Sequence, residues 1–153
     1  MLSTGCGDEP VQVPLSGSKV RVPDGVVPPE LGGLSAGEED VSGPLKEAGD
    51  RAYVSDVRFY SLREGDRLRA TVEVARFTPD AQTSDADFQL KVAAQLGAPR
   101  TRRMGTDTVY VSSGNRQTYY MWFRGLHMVL VGVPAEGTAG RTLVREALER
   151  VRP

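Results

Sequence analysis

One cysteine and one histidine stand in 153 residues, and each shortage removes a class of chemistry. With Cys6 alone, no internal disulfide can form, so the fold has to hold by its core even in an oxidising compartment. With His127 alone and no second cysteine, a zinc ion would have only carboxylates as co-ligands, and no metal or cofactor is expected. No apolar run approaches the roughly 20 residues that a membrane-spanning helix needs. The glycines do not follow a strand and open a helix, which excludes a phosphate loop and a dinucleotide fingerprint. Ser112-Ser113-Gly114 lacks the Gly-x-Ser-x-Gly context of a nucleophile elbow. Asp80, Asp85 and Asp87 lack the spacing and the glycine of a calcium loop. No catalytic residue is expected, since a lone histidine in a strand is more often packed or hydrogen-bonded than a general base.

What is present divides near residue 50. Residues 1–50 hold 9 acids and 3 bases, a net of −6, whereas residues 51–153 hold 11 acids and 16 bases, a net of +5. The acidic half also holds Pro10, Pro14, Pro23, Pro28, Pro29 and Pro44 and the clusters Ser16-Gly17-Ser18 and Gly32-Gly33. Such a stretch buries too little apolar surface to offset its chain entropy, so residues 7–50 are expected to be a mostly disordered linker. Alternating valines and cations at Lys19-Val20-Arg21-Val22 leave room for one short strand there. Residues 51–153 suit a single small domain with one core.

At the other end of the linker stands Leu2-Ser3-Thr4-Gly5-Cys6. This run resembles the cleavage end of a bacterial lipoprotein signal, over about six residues, with Ser3 where that family carries an aliphatic residue. The resemblance implies that residues 1–6 are a signal remnant and that Cys6 carries lipid as the mature N-terminus. It implies a protein anchored through that lipid at the outer face of the cytoplasmic membrane, in the cell envelope. A cytoplasmic protein is the alternative.

Within the domain the periodicity predicts the order ββαβββα, an α+β fold with an antiparallel sheet of about five strands and two helices. The first pair, about Tyr53 to Leu62 and Arg67 to Phe77, turns around Glu64-Gly65-Asp66. Alternation puts Val57, Phe59, Leu68, Ala70, Val72 and Val74 on one face and Arg58, Tyr60, Arg69, Thr71 and Glu73 on a wet one. Ser84 is the expected N-cap of the first helix, and Gly97 its C-terminal stop. The second helix is expected from about Thr138, with its charged side solvated. Between them lies a meander, about Thr108 to Ser113, Arg116 to Phe123 and Leu126 to Val133, with turns at Gly114-Asn115 and Arg124-Gly125. Two-residue loops there set Tyr110 against Tyr119, Met121 against Met128, and Trp122 against His127.

Both faces of this meander are apolar, so the second is expected to be covered by the linker, by an N-terminal strand or by one helix lying on each side. Left uncovered, it would mark an interface or a ligand site. Tyr120, Trp122 and His127 are the candidate ligand or partner face, since each pairs an apolar body with a polar edge. Arg100, Arg102 and Arg103 form the densest basic cluster, in the loop before the meander. No base-stacking aromatics interleave with them, so nucleic acid is not the expected partner. Anionic headgroups or acidic envelope polymers fit better, and the acidic linker itself could fold back on them. The sequence therefore suggests a non-catalytic binding or accessory module whose partner is an envelope glycan, a lipid or a protein. A cytosolic protein-interaction domain is the first alternative and a small enzyme using His127 the second. The oligomeric state is not legible.

Overall fold

The computed structural model describes residues 20–40, 53–114, 116–135 and 139–153. Ten elements follow one another: β1 (Glu30–Leu31), β2 (Leu34–Glu39), β3 (Val54–Glu64), β4 (Arg67–Phe77), α1 (Ala86–Ala94), β5 (Arg100–Met104), β6 (Asp107–Gly114), β7 (Gln117–Arg124), β8 (His127–Pro134) and α2 (Ala139–Arg150). The strands form one antiparallel sheet in the order β1-β2-β3-β4-β8-β7-β6-β5. The expectation of an α+β fold with about five strands is corrected here: eight strands and two helices among the described residues make the fold predominantly β. The undercount arose at the two edges. β1 and β2 lie in the glycine-rich acidic stretch, and β5, Arg-Thr-Arg-Arg-Met, has no apolar alternation to announce it.

Residues 20–40 thus contribute folded structure inside the stretch expected to be a linker. Gly32 and Gly33, at φ 62° and 75°, form the two-residue turn that joins β1 to β2. Consecutive positive φ values of this kind are what glycine supplies without steric cost. Val22, Val26, Val27 and Leu31 are buried in the main core. The apolar content of this stretch is low on average but concentrated at these positions, and the sheet provides the surface that the segment lacks alone. No strand forms at 20–22; instead the Val22 amide donates to Asp56 Oδ2 at 2.7 Å.

One extra residue decides which side chains of the β3–β4 hairpin go inward. Arg63 faces Leu68 but Leu62 faces Ala70, so Arg69 has no counterpart on β3. A bulge of this kind reverses the facing of everything beyond it. Arg58, Tyr60 and Leu62 therefore share a face with Ala70, Val72 and Val74, while Val57 and Phe59 go with Thr71, Glu73 and Ala75. The expected clean division into an apolar and a wet face is corrected accordingly, and Glu73 is 2% exposed. The meander registers move by two residues instead. Gly114 pairs with Gln117 and Arg124 with His127, so Tyr110 opposes Met121, Met121 opposes Leu130 and Trp122 opposes Val129. A shift of two preserves the facing, so the residues expected to share each face still do.

Each face has its own core. On one, α2 lays Leu143, Val144, Ala147, Leu148 and Val151 over Val72, Val74, Val109, Trp122, Val129 and Val131, with the 22–31 segment beside it. On the other, α1 covers Ala75, Tyr110, Met121, Met128 and Leu130. Phe88 of α1 fixes that contact, edge-on to Tyr53, Phe77 and Phe123 at 6.0, 5.7 and 6.3 Å between ring centroids. Asp85, one residue beyond the expected Ser84, is the N-cap, and its Oδ1 accepts from the Asp87 amide at 3.2 Å.

Candidate functional site

Trp122 and His127 lie on the face that α2 covers, and neither is open. Trp122 is 0% exposed and His127 8%. The expected face of Tyr120, Trp122 and His127 is therefore mostly core: the C-terminal helix and the 22–31 segment occupy it, and only Tyr120 keeps partial exposure. Neighbouring strands set His127 between Arg76 and Arg124 in a row of ionisable groups along one end of the sheet. Arg124 reaches Asp107 at 3.2 Å and the Val151 carbonyl at 3.3 Å, while Asp56, paired across from Arg76, holds the Val22 amide. These bonds tie the ends of the covering segments to the sheet edge.

Burial, and then the adjacent Arg76 charge, push the His127 imidazole below its ordinary value. The ring is therefore neutral in the fold at neutral pH. As pH falls below the ordinary histidine value of about 6.5, the unfolded chain takes up a proton that the fold resists. Stability is then expected to fall with pH until the depressed folded value is passed, and His127→Gln should flatten this part of the profile. Urea midpoints between pH 7.5 and 5, with the single-histidine NMR titration alongside, check it. A folded value at or above 6.5 would remove the effect.

Open surface lies elsewhere. A cleft of about 580 Å³ runs beside the first turns of α2, lined by Gly32, Leu34, Ala70, Val133, Gly140 and Leu143 with Arg69 and Thr142 among its polar groups. Two glycines set its walls by letting backbone approach closely. A Cβ on Gly32 would stand 2.7 Å from Leu143 Cδ1, and one on Gly140 3.0 Å from Val133 Cγ2. The Gly32 amide also donates to Glu146 Oε2 at 2.8 Å, and this bond, followed by that from Arg150, holds the Glu146 carboxyl below the usual carboxylate range. Arg69, the bulge residue, is fixed by Glu64 Oε1 through Nη2 at 2.7 Å and Nε at 3.0 Å. On the other side of Gly140, a smaller cleft of about 270 Å³ is lined by Thr118, Tyr120 and Arg141. No family model matches this chain, and no curated protein does. The reading of the site therefore rests on its geometry.

Arg100, Arg102 and Arg103, expected in a loop, are three of the five residues of β5, the edge strand of the sheet. Arg100 and Arg102 lie opposite Val111 and Val109, on the α2 side, and Arg103 lies opposite Thr108 on the α1 side. All three are exposed. Three of the five described acids of the N-terminal stretch lie on other cations. Asp24 and Glu38 pair with Arg58 at 2.6 and 3.4 Å, and Glu39 bonds Ser61 and Arg63. Arg58, expected on a wet face, is instead largely buried and meets Asp24 and Glu38 from the 20–27 and 34–40 segments. Cys6 lies outside the described residues. Among the described residues, no three His, Cys, Asp or Glu side chains converge as a metal site.

Proposed function

We propose that this chain is a non-catalytic binding or accessory module of the cell envelope, held by lipid on Cys6. The observation that supports binding is the cleft beside α2. Its volume of about 580 Å³ falls within the roughly 300–1,000 Å³ of small-molecule sites. Its mixed lining, apolar at Leu34, Ala70, Val133 and Leu143 and polar at Arg69 and Thr142, suits an amphipathic ligand, such as a lipid or a glycan carrying an apolar substituent. The resemblance at Leu2 to Cys6 supports the address. Among the described residues, no helix is long and apolar enough to cross a membrane, so on this reading the acyl chain makes the attachment.

Two measurements on one preparation test the two halves. Expression from the full upstream reading frame in a bacterial host should yield protein in the detergent phase with an acylated Cys6 by intact mass, and Cys6→Ala should move it to the aqueous phase. An unmodified, water-soluble product would favour the cytosolic alternative. Separately, the fluorescence of 1-anilinonaphthalene-8-sulfonate should rise with the native protein and drop severalfold with Thr142→Trp, which fills the cleft from an exposed helical position. Unchanged fluorescence in that variant would reject the cleft as a binding site.

A further inference from the structure

We infer that the β5 edge is a docking site for an extended acidic segment of a partner protein, which adds a ninth strand to the sheet. β5 is a terminal strand, paired on one side by β6 and by no strand among the described residues on the other. Its outer row of backbone N–H and C=O groups is the template that strand addition uses. Arg100, Thr101, Arg102 and Arg103 are all exposed, and the three arginines make no ion pair among the described residues.

The side chains specify the sign and the alternation of the partner. Arg100 and Arg102 project to one face at i and i+2, so an added strand presents two residues of one face directly across from them. Carboxylates at those two places complement the guanidiniums, and guanidinium binds carboxylate through paired hydrogen bonds. Thr101, between them, projects to the other face, where a cleft of about 510 Å³ lies between β5 and α1. Leu90, 43% exposed, Tyr110 and Phe123 line that cleft with Thr101, together with polar residues that include the acids Asp87 and Asp107. The partner residue between the two acids would lie over Leu90, Tyr110 and Phe123, and the Asp87 and Asp107 carboxylates disfavour a further acid there. The fitting sequence therefore alternates acid, apolar residue, acid.

A second copy of the chain does not fit this edge. Pairing β5 with itself would bring six arginines together, and like charges across strands oppose pairing. Asp24, Glu38 and Glu39, the described acids of the N-terminal stretch that form ion pairs, are also engaged around β3, toward the opposite side of the sheet. The partner is accordingly a different protein, and the inference stands independently of the α2 cleft.

The test uses the full chain and three dye-labelled peptides read by fluorescence anisotropy. One alternates glutamate and valine, a second has lysine for glutamate, and a third is the glutamate peptide N-methylated at alternate amides. The glutamate peptide should bind saturably and more weakly as salt rises. N-methylation and the Arg100→Glu/Arg102→Glu variant should each weaken it by about tenfold or more, the variant through reversal of two charges at the contact. Arg67→Glu/Arg145→Glu, an equal charge change at exposed positions elsewhere, should leave it within about twofold, because charges beyond a Debye length are screened. Equal binding of the N-methylated peptide would show a charge patch without strand addition and overturn the inference. Absence of saturable binding, or binding retained by the Arg100→Glu/Arg102→Glu variant, would do the same. So would loss of binding to phosphatidylglycerol vesicles in that variant when the peptide itself is not bound, which would assign the arginines to a membrane surface.

Discussion

Trp122→Ala is expected to lower the unfolding free energy by about 3–5 kcal/mol, the range for removing a large aromatic side chain from a packed core. The indole is 0% exposed, opposite Val129, and belongs to the core cluster that α2 seals with Val144, Ala147 and Leu148. Alanine would leave a void beneath a 12-residue helix whose two ends are tied down separately. Near the start, Gly140 stands so close to Val133 that an added Cβ would lie 3.0 Å from its Cγ2. The Gly32–Glu146 bond holds the helix past its middle, and the Arg124–Val151 bond holds its end. Fixed at both ends, α2 has little freedom to settle into the space, which favours the upper part of the range. Had the face been an open binding surface, the same change would cost about 0.5 kcal/mol or less. Urea unfolding followed by far-UV circular dichroism distinguishes the two. Fluorescence does not serve, because Trp122 is the only tryptophan. Tyr120→Ala, at a half-buried neighbour, should cost clearly less than Trp122→Ala; the reverse order would mean that α2 does not cover this face.

The contrast between Trp122 and its expected role shows where local pattern stops being informative. The meander of β6, β7 and β8, the β3–β4 hairpin and both helices were legible because their apolar residues recur at strand or helix spacing. Sequence also showed correctly that both faces of the meander are apolar, and the reason is that α1 and α2 lie on opposite faces. What covers a face depends on where a helix docks, which is a long-range matter. Two local features escaped as well. The bulge at Arg69 has no glycine to mark it, yet it turned Arg58 and Tyr60 inward and Val57 and Phe59 to the other face. The turns at Gly65 and Gly125 did have their glycine markers, at φ 61° and 58°, but Arg116 at φ 64° did not, and both meander turns fall one residue later than expected, which moves each register by two. For the candidate site, the arginine cluster was visible as composition while its strand conformation was not. The α2 cleft was not visible at all, since Gly32, Arg69 and Gly140 come from three distant parts of the chain.

Leu31→Ala is expected to cost about 2–5 kcal/mol, the cost of truncating a leucine in a core. Residue 31 stands in a stretch whose composition is that of a linker, and in a linker the change would cost about 0.5 kcal/mol or less. Leu31 is 0% exposed and sits in a two-residue strand whose Glu30 pairs with Ser35. So short a strand has little stability of its own; the buried side chain and the contact of the glycine turn with α2 hold it. Gly32→Ala probes that contact from the backbone. Its Cβ would have to enter the space of Leu143 Cδ1, and alanine would also have to adopt φ 62°, so a cost comparable to overpacking, about 1–3 kcal/mol, is expected. Val20→Ala, at a position 44% exposed, is the control and should lie within about 0.5 kcal/mol of the parent. If all three variants unfold at the parental midpoint, residues 20–40 are a linker in solution. If Leu31→Ala and Gly32→Ala fall and Val20→Ala does not, the first hairpin is part of the cooperative fold. The wall of the α2 cleft is then built by a segment that averages of composition would discard. Any ligand in that cleft would touch residues from both the acidic and the basic halves of the chain, and its affinity should drop in Gly32→Ala together with the stability.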